Sequence, residues 1–386
     1  MNKFLSILLI IISCFIFTGC WSYREINSLY IIAGIGIDKV PNSEQFNITA
    51  ELVNIKETGS RQEDQTFESA LLEIEGSSIF DTIRKIIRIS SKKPYLAHAT
   101  IIIVSEEVAR EGVISLLDLI TANEEPRLDI SVLVSKGISA NEVLSMKSLS
   151  TEIISFELST AINENEKLMR VPVLRAYEMI NMLAIPKTGT VIPVVSSFSD
   201  KGTDLSILSG GAVFKADKLI GFLEQEDIVP YLFIKNKIKT NVLDIETKEG
   251  DLSGTVTLET YRSKTKIKPV YGAEAVSFDI NIETEAFLVE LDTMTNYIDP
   301  PGRAKLRKIA EEHLEKKIME HIEKVKKDFK LDIFGFGNII RQRNPKLWKE
   351  LEEDWDTIFI NTDFNINCEI HIKGAGHTLK PVRAVD

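Results

Sequence analysis

The sequence predicts a mixed α/β protein of more than one domain, with an α/β amino-terminal half and an antiparallel-sheet carboxyl-terminal half that carries one long helix. Three observations predict it. Residues 77–134 alternate helical and strand periodicities in the order α-β-α-β, which favours helices packed on a partly parallel sheet. Residues 206–291 carry strand patterns in succession, for which antiparallel pairing is economical. Between these and a final strand runs a charged stretch with apolar residues at spacings of three and four.

The elements come in order along the chain. Ser28 to Asp38 is β-branched and apolar, and Gln45 to Asn54 alternates Phe46, Ile48, Ala50 and Leu52 against Asn47, Thr49 and Glu51, so two strands meet across Pro41-Asn42-Ser43. Residues 55–69 are polar and mixed in charge. Ile79, Phe80, Ile83, Ile86 and Ile87 mark one face of a helix after Ser77-Ser78 that stops before Pro94. Leu96 to Val104 reads as a buried strand, Val113 to Ala122 as a short helix and Leu128 to Val134 as another strand. From Ala140 to Ile185 the pattern is helical, and a domain seam near 140 is compatible with it. Thr190 to Phe198 is extended, and Ser199 to Asp204 reads as a linker and the main boundary, dividing a region 21–198 from a domain 205–386.

Strands are then expected over Ser206 to Lys215, Lys218 to Leu223, Lys237 to Thr247, Leu252 to Lys266 and Ala273 to Leu291. A long helix follows Asp299-Pro300-Pro301, its stripe formed by Leu306, Ala310, Leu314, Ile318, Ile322, Val325 and Phe329. In the last strand, Phe359 to Lys373, alternation places Cys368 on the buried face, as a core thiol rather than a nucleophile.

The chain opens with Lys3, an apolar run from Phe4 to Phe17 and then Thr18-Gly19-Cys20. The run is shorter than the roughly 20 residues a spanning helix needs, and small Thr18 and Gly19 suit a peptidase subsite before a cysteine. Residues 1–19 are therefore expected to be a lipoprotein signal, cleaved after Gly19 to leave Cys20 as an S-diacylglyceryl amino terminus. Phe17 stands where Leu is usual. The formal charge of -11 becomes -12 once residues 1–19, whose only charge is Lys3, are removed. Such an acidic protein has no electrostatic reason to bind nucleic acid or spread over anionic lipid, so the lipid supplies the anchor. Of three cysteines, Cys14 leaves with the signal and Cys20 is modified, so Cys368 has no disulfide partner.

Catalytic and metal signatures do not emerge. His313 and His321 are eight apart, not the i, i+4 of a helical zinc pair, and read as a solvated flank. His98 reads as a core residue within a strand, His371 lies on the polar face of the last strand, and His377 is in a Gly-rich tail. Gly34-Ile35-Gly36 lacks the third glycine of a dinucleotide loop, and the acidic group Glu352, Glu353, Asp354 and Asp356 reads as a solvated face. No enzyme, cofactor, metal or small-molecule ligand is expected. Phe334, Phe336, Trp348 and Trp355 are expected in the core; if exposed, they would serve as anchors for a partner.

Several blocks, in this order, resemble the Ger(x)C family, the lipoprotein C subunits of spore nutrient germinant receptors. They are Gly19-Cys20-Trp21 with Arg24-Glu25-Ile26-Asn27, Gly34-Ile35-Gly36-Ile37-Asp38-Lys39, Lys93 to His98 running into Val104-Ser105-Glu106-Glu107, Gly210 to Lys215, and Asp332 to Gly337 with Pro345 and Trp348. The resemblance implies a three-domain body on the outer face of the spore inner membrane, associated with a polytopic A subunit and a transporter-like B subunit. It transfers one functional residue, Cys20, and no catalytic ones. The rival readings are a solute-binding lipoprotein of a transporter, which needs two similar lobes around a deep cleft, and a surface hydrolase.

Overall fold

A computed structural model describes residues 28–57, 65–89, 92–150, 152–168, 171–249, 252–272, 275–293 and 295–374. Among them, a mixed sheet of nine strands is followed by a four-stranded sheet. In the first, β3 (Gln65–Gly76), β2 (Phe46–Glu57) and β1 (Leu29–Lys39) form an antiparallel meander. Strand β1 runs parallel to β5 (Ile101–Ser105), which leads through β6 (Ser131–Ser135) to β7 (Thr190–Asp200), all parallel. The antiparallel strands β8 (Thr203–Lys215) and β9 (Lys218–Leu223) complete it, and the short β4 (Lys93–Tyr95) pairs with the start of β1.

Both faces of this sheet are covered, which is why β5 reads Ile-Ile-Ile-Val without alternation. Ile102, Val104, Val132 and Val134 meet helices α1 (Ile79–Ile89), α2 (Glu106–Glu111), α3 (Ile114–Ala122) and α6 (Ala176–Leu183). Ile101, Ile103 and Leu133 meet α4 (Ala140–Ser145) and α5 (Ile154–Leu168) on the other side. Backbones come close there. A Cβ on Gly34 would lie 2.1 Å from Ser155 Oγ, and one on Gly36 would lie 3.1 Å from the Ala140 Cβ, so β1 carries glycine where helices cross it.

The second sheet runs β10 (Thr240–Glu249), β11 (Leu252–Tyr271), β12 (Val276–Asp292) and β13 (Asp363–Gly374). The first three pair antiparallel as expected, whereas β13 joins β12 in parallel. The helical crossover requires this: α8 (Pro300–Asp328), α9 (Phe336–Arg343), α10 (Pro345–Leu351) and α11 (Trp355–Asn361) return the chain to the starting end of the sheet. Helix α8 begins at Asp299, whose carboxylate accepts from Gly302 N, and lays Leu306, Ala310, Leu314, Ile318, Ile322 and Val325 into the core.

Several expectations are corrected. Ser199 to Asp204 is no extended linker but the tip of the β7–β8 hairpin, turned by Lys201 and Gly202 at positive φ. The strands flanking it join the cores: Ile192, Ala212 and Phe214 face the first, while Val191, Val213 and Leu223 face the core of the second sheet. Residues 65–76, which overlap the stretch 55–69 read as polar and mixed in charge, form a third strand. Residues 96–100 form a turn before β5, and the last strand starts at Asp363 because Phe359 and Ile360 belong to α11. Helix α7 (Gln225–Ile234) also interrupts the strand-rich half; its run Ile-Val-Pro-Tyr-Leu-Phe-Ile is apolar all round and carries Pro230, so neither period stands out. On α1, Ile79, Ile83 and Ile86 are buried, but Phe80 and Ile87 point outward.

Candidate functional site

Cys20, the expected lipidation site, lies outside the described residues with Gly19, Cys14 and His377. The structure fixes the place where the chain leading from Cys20 joins the body. Leu29, Tyr30 and Ile31 begin β1 and pair with Lys93, Pro94 and Tyr95 of β4, so the connection ends at the foot of helix α1.

Cys368 is buried on β13 as expected, and burial, followed by Glu315 and Glu311, pushes its thiol well above the ordinary range. His98 is not in the core: it sits exposed in the turn before β5, its ring edge-on to Tyr95. His313 is half-buried, and burial, reinforced by Lys317, lowers its pKa. His321 departs furthest from expectation. It is buried, packs edge-on against Phe334 and approaches Asp227 Oδ1 at 3.5 Å, beyond good hydrogen-bond geometry. Asp227 accepts from Lys324 Nζ at 2.6 Å and from the Glu224 amide at 2.9 Å. Burial raises the pKa of this carboxyl, but the neighbouring donors and cations outweigh it and bring it to about 2. With the imidazole buried between Phe334 and Asp227, this cluster ties α7 to α8.

His371 lies on the polar face of β13, within 3.6 Å of Glu283 and Glu369. The acidic group near the carboxyl end does not converge: Asp356 pairs with Lys215 at 2.8 Å, and Glu353 offers its backbone carbonyl to Lys187. Among the described residues no three His, Cys, Asp or Glu side chains gather to hold a metal. Phe334, Phe336, Trp348 and Trp355 are all buried, so none is available as a surface anchor.

Three buried carboxylates cap helices, and two of them, Asp38 and Asp332, lie in the resemblance blocks. Asp38, at the end of β1, accepts from the amides of Ala140 and Asn141 and so caps α4. Glu51 of β2 accepts from Ile154 and Ser155 and caps α5. Asp332 accepts from the amides of Phe334, Gly335 and Gly337 and from Trp355 Nε1. Gly335, at φ 87°, is what lets the chain turn back over that carboxylate. Each negative group meets a helix start, where orphan N–H donors and the helix dipole favour it.

One large concavity lies where the two cores meet. It holds about 780 Å³ and is bounded by residues 172–191, 231–239, 265–267 and 334–343. Its walls mix apolar and polar side chains, and its charged lining is unbalanced: Arg175, Lys235, Lys237, Lys239 and Arg343 against Glu178 alone. Lys235 reaches the Phe334 carbonyl at 3.1 Å, and burial lowers its pKa. Thr188 Oγ1, on the same wall, is buried without a hydrogen-bond partner. Such a cleft can hold a small anionic solute. No local pattern in the chain hints at it, because its walls come from four distant segments.

Comparison with known proteins places this architecture. Residues 22–197 match the family "Spore germination protein N-terminal domain" and residues 209–376 match "Spore germination B3/ GerAC like, C-terminal". In Bacillus subtilis (strain 168), Spore germination protein KC is 25% identical, over 99% of this chain and 98% of its own length. Spore germination protein YndF is 26% identical over 93% of each, and Spore germination protein B3 is 24% identical over 93% of this chain and 94% of its own. The crystal structure of the GerBC protein shares the fold, with a TM-score of 0.56 and 21% identity over 88% of this chain and 97% of that one.

Proposed function

The chain belongs to the GerAC, or Ger(x)C, family of spore germination proteins, and from that premise we propose that it is a non-enzymatic, lipid-anchored subunit of a spore germinant receptor. It works through protein contacts with polytopic A-type and B-type membrane subunits on the outer face of the spore inner membrane. The observation that carries this reading is the match of both family models, in order, along nearly the whole chain behind the Thr18-Gly19-Cys20 signal. The capped helices and the enclosed His321 support a scaffold rather than a catalyst. No helix among the described residues is long and apolar enough to cross a membrane; the attachment in this reading is the diacylglyceryl group on Cys20.

Affinity purification of the tagged chain from spore membranes, with mass spectrometry of its amino terminus, tests the proposal. It should recover two polytopic membrane proteins and a terminus at lipid-modified Cys20, and Cys20→Ala should lose the modification and the membrane attachment. An unmodified Cys20, or recovery of the chain without membrane partners, overturns it.

The solute-binding reading gains one observation, the cationic cleft between the cores. The lobes flanking it are unlike, one a mixed sheet covered on two faces and the other a largely antiparallel sheet under one long helix, which counts against a two-lobed binding protein. Calorimetric titration with germinant amino acids, sugars and nucleosides should give no saturable heat; millimolar or tighter binding that disappears in Lys235→Met would transfer the function to that reading.

A further inference from the structure

We propose that the outer face of helix α1 (Ile79–Ile89) lies on the membrane surface and binds anionic phospholipid, a second attachment beside the lipid on Cys20. The inference rests on the lipoprotein reading of Cys20. Its own support is geometric. While Ile79, Ile83 and Ile86 fill the core, Phe80, Ile87 and Ile89 are 39%, 44% and 61% exposed. Phe80, Arg84, Ile87 and Arg88 recur at spacings of three and four, so apolar and cationic side chains share one outward stripe. The Arg84 guanidinium covers the Phe80 ring at 4.3 Å.

Charge along this segment is opposite to that of the molecule. Between Ile79 and Lys93 stand Arg84, Lys85, Arg88, Lys92 and Lys93 against Asp81. Asp81 approaches Lys85 at 3.7 Å, and Glu125 pairs with Lys93. Among the described residues, no carboxylate pairs with Arg84 or Arg88. Net charge argues against contact with anionic lipid only for charges within reach: beyond about 8–10 Å at ordinary ionic strength, salt screens the rest of this acidic molecule. A face of cations interleaved with Phe and Ile suits the boundary between headgroups and acyl chains.

Position supplies the occupant. The eight residues from Trp21 to Ser28 separate Cys20 from Leu29, and a fully extended connection of that length spans about 30 Å. Leu29 pairs with Lys93, just beyond α1, and the Lys92 ammonium lies 5.2 Å from the Tyr30 ring. The tether therefore holds this end of the body near the bilayer.

The test uses the lipidated full-length mature chain in phosphatidylcholine vesicles with and without phosphatidylglycerol. Spin labels are placed at Phe80→Cys and Ile87→Cys, with Val289→Cys on the second sheet as the exposed reference. On phosphatidylglycerol vesicles the labels at 80 and 87 should collide with oxygen severalfold more than with a nickel chelate relative to 289. Arg84→Glu with Arg88→Glu should cancel the difference while flotation with the vesicles persists. Labels at 80 and 87 that match the reference overturn the proposal, as does shielding from both reagents that arises only in receptor complexes from spore membranes, which assigns the face to a protein. An unmodified Cys20 sinks the tether alone; the face is then read on the untethered chain, where salt-sensitive binding to phosphatidylglycerol vesicles through 80 and 87 upholds it and no binding overturns it.

Discussion

Asp332 is the most heavily engaged side chain of the carboxyl-terminal half, a fully buried carboxylate that accepts from three backbone amides and one indole. Burial raises its pKa against the pull of those donors. Asp332→Ala leaves four donors without a partner, and should lower unfolding free energy by about 2–4 kcal/mol in urea titration. Gly34→Ala should cost about 1–3 kcal/mol in the same measurement, because the new methyl meets Ser155 on a helix that cannot retreat. Asp227 makes a pH-dependent contribution. Its folded pKa lies below the ordinary 3.8, so its stabilisation, about 2 kcal/mol, is present above that value and is lost as pH falls from there through about 2. In Asp227→Asn the acid limb of the stability curve over that interval should flatten; an unchanged limb contradicts the assignment. Cys368 and the strand glycines were legible in the sequence because each depends on neighbours in the chain. His98 and His321 were not, since an exposed turn and an interhelical contact leave no local signature.

At the scale of elements, β13 is an edge strand, with β12 on one side only. Two of its outward amides are not left open: Cys368 N and Ile370 N donate to Glu315 and Glu311 of α8 at 2.8 and 3.0 Å. The fit follows from two periods, since four helical residues advance about 6 Å and two strand residues about 6.6 Å. Glu311→Ala with Glu315→Ala should therefore cost about 1–3 kcal/mol, and should speed hydrogen exchange at Cys368 and Ile370 before the rest of β13. Uniform exchange along β13 would show that the carboxylates do not guard the edge. The long helix and the last strand were readable because each buries one face at a regular period, and the paired amino-terminal strands, buried on both faces, through a β-branched apolar run and an apolar–polar alternation. Strand β3 exposes Phe67 and Leu71 and so blurs its alternation, while α7, buried all round, has no polar face to set a period.

At the scale of the whole molecule, strands β7 to β9 belong to one sheet yet feed both cores. Gly189 N donates to Asp332 O and Lys215 pairs with Asp356, so the halves are also joined by polar contacts. Heating should give one main calorimetric transition for the full chain, and Asp332→Ala should lower it as a whole; two well-separated transitions would mean that the shared strands do not couple the cores. The family matches meet between residues 197 and 209, inside the β7–β8 hairpin. This bears on synthesis and export. On the exported reading proposed above, a chain that crosses the membrane amino end first delivers residues up to 197 with β7 as a bare edge, and that edge stays open until β8, through residue 215, has crossed. The early portion is thus complete as a sheet only once β8 has arrived, and a fragment truncated at 198 should accumulate as aggregate rather than as a folded lobe.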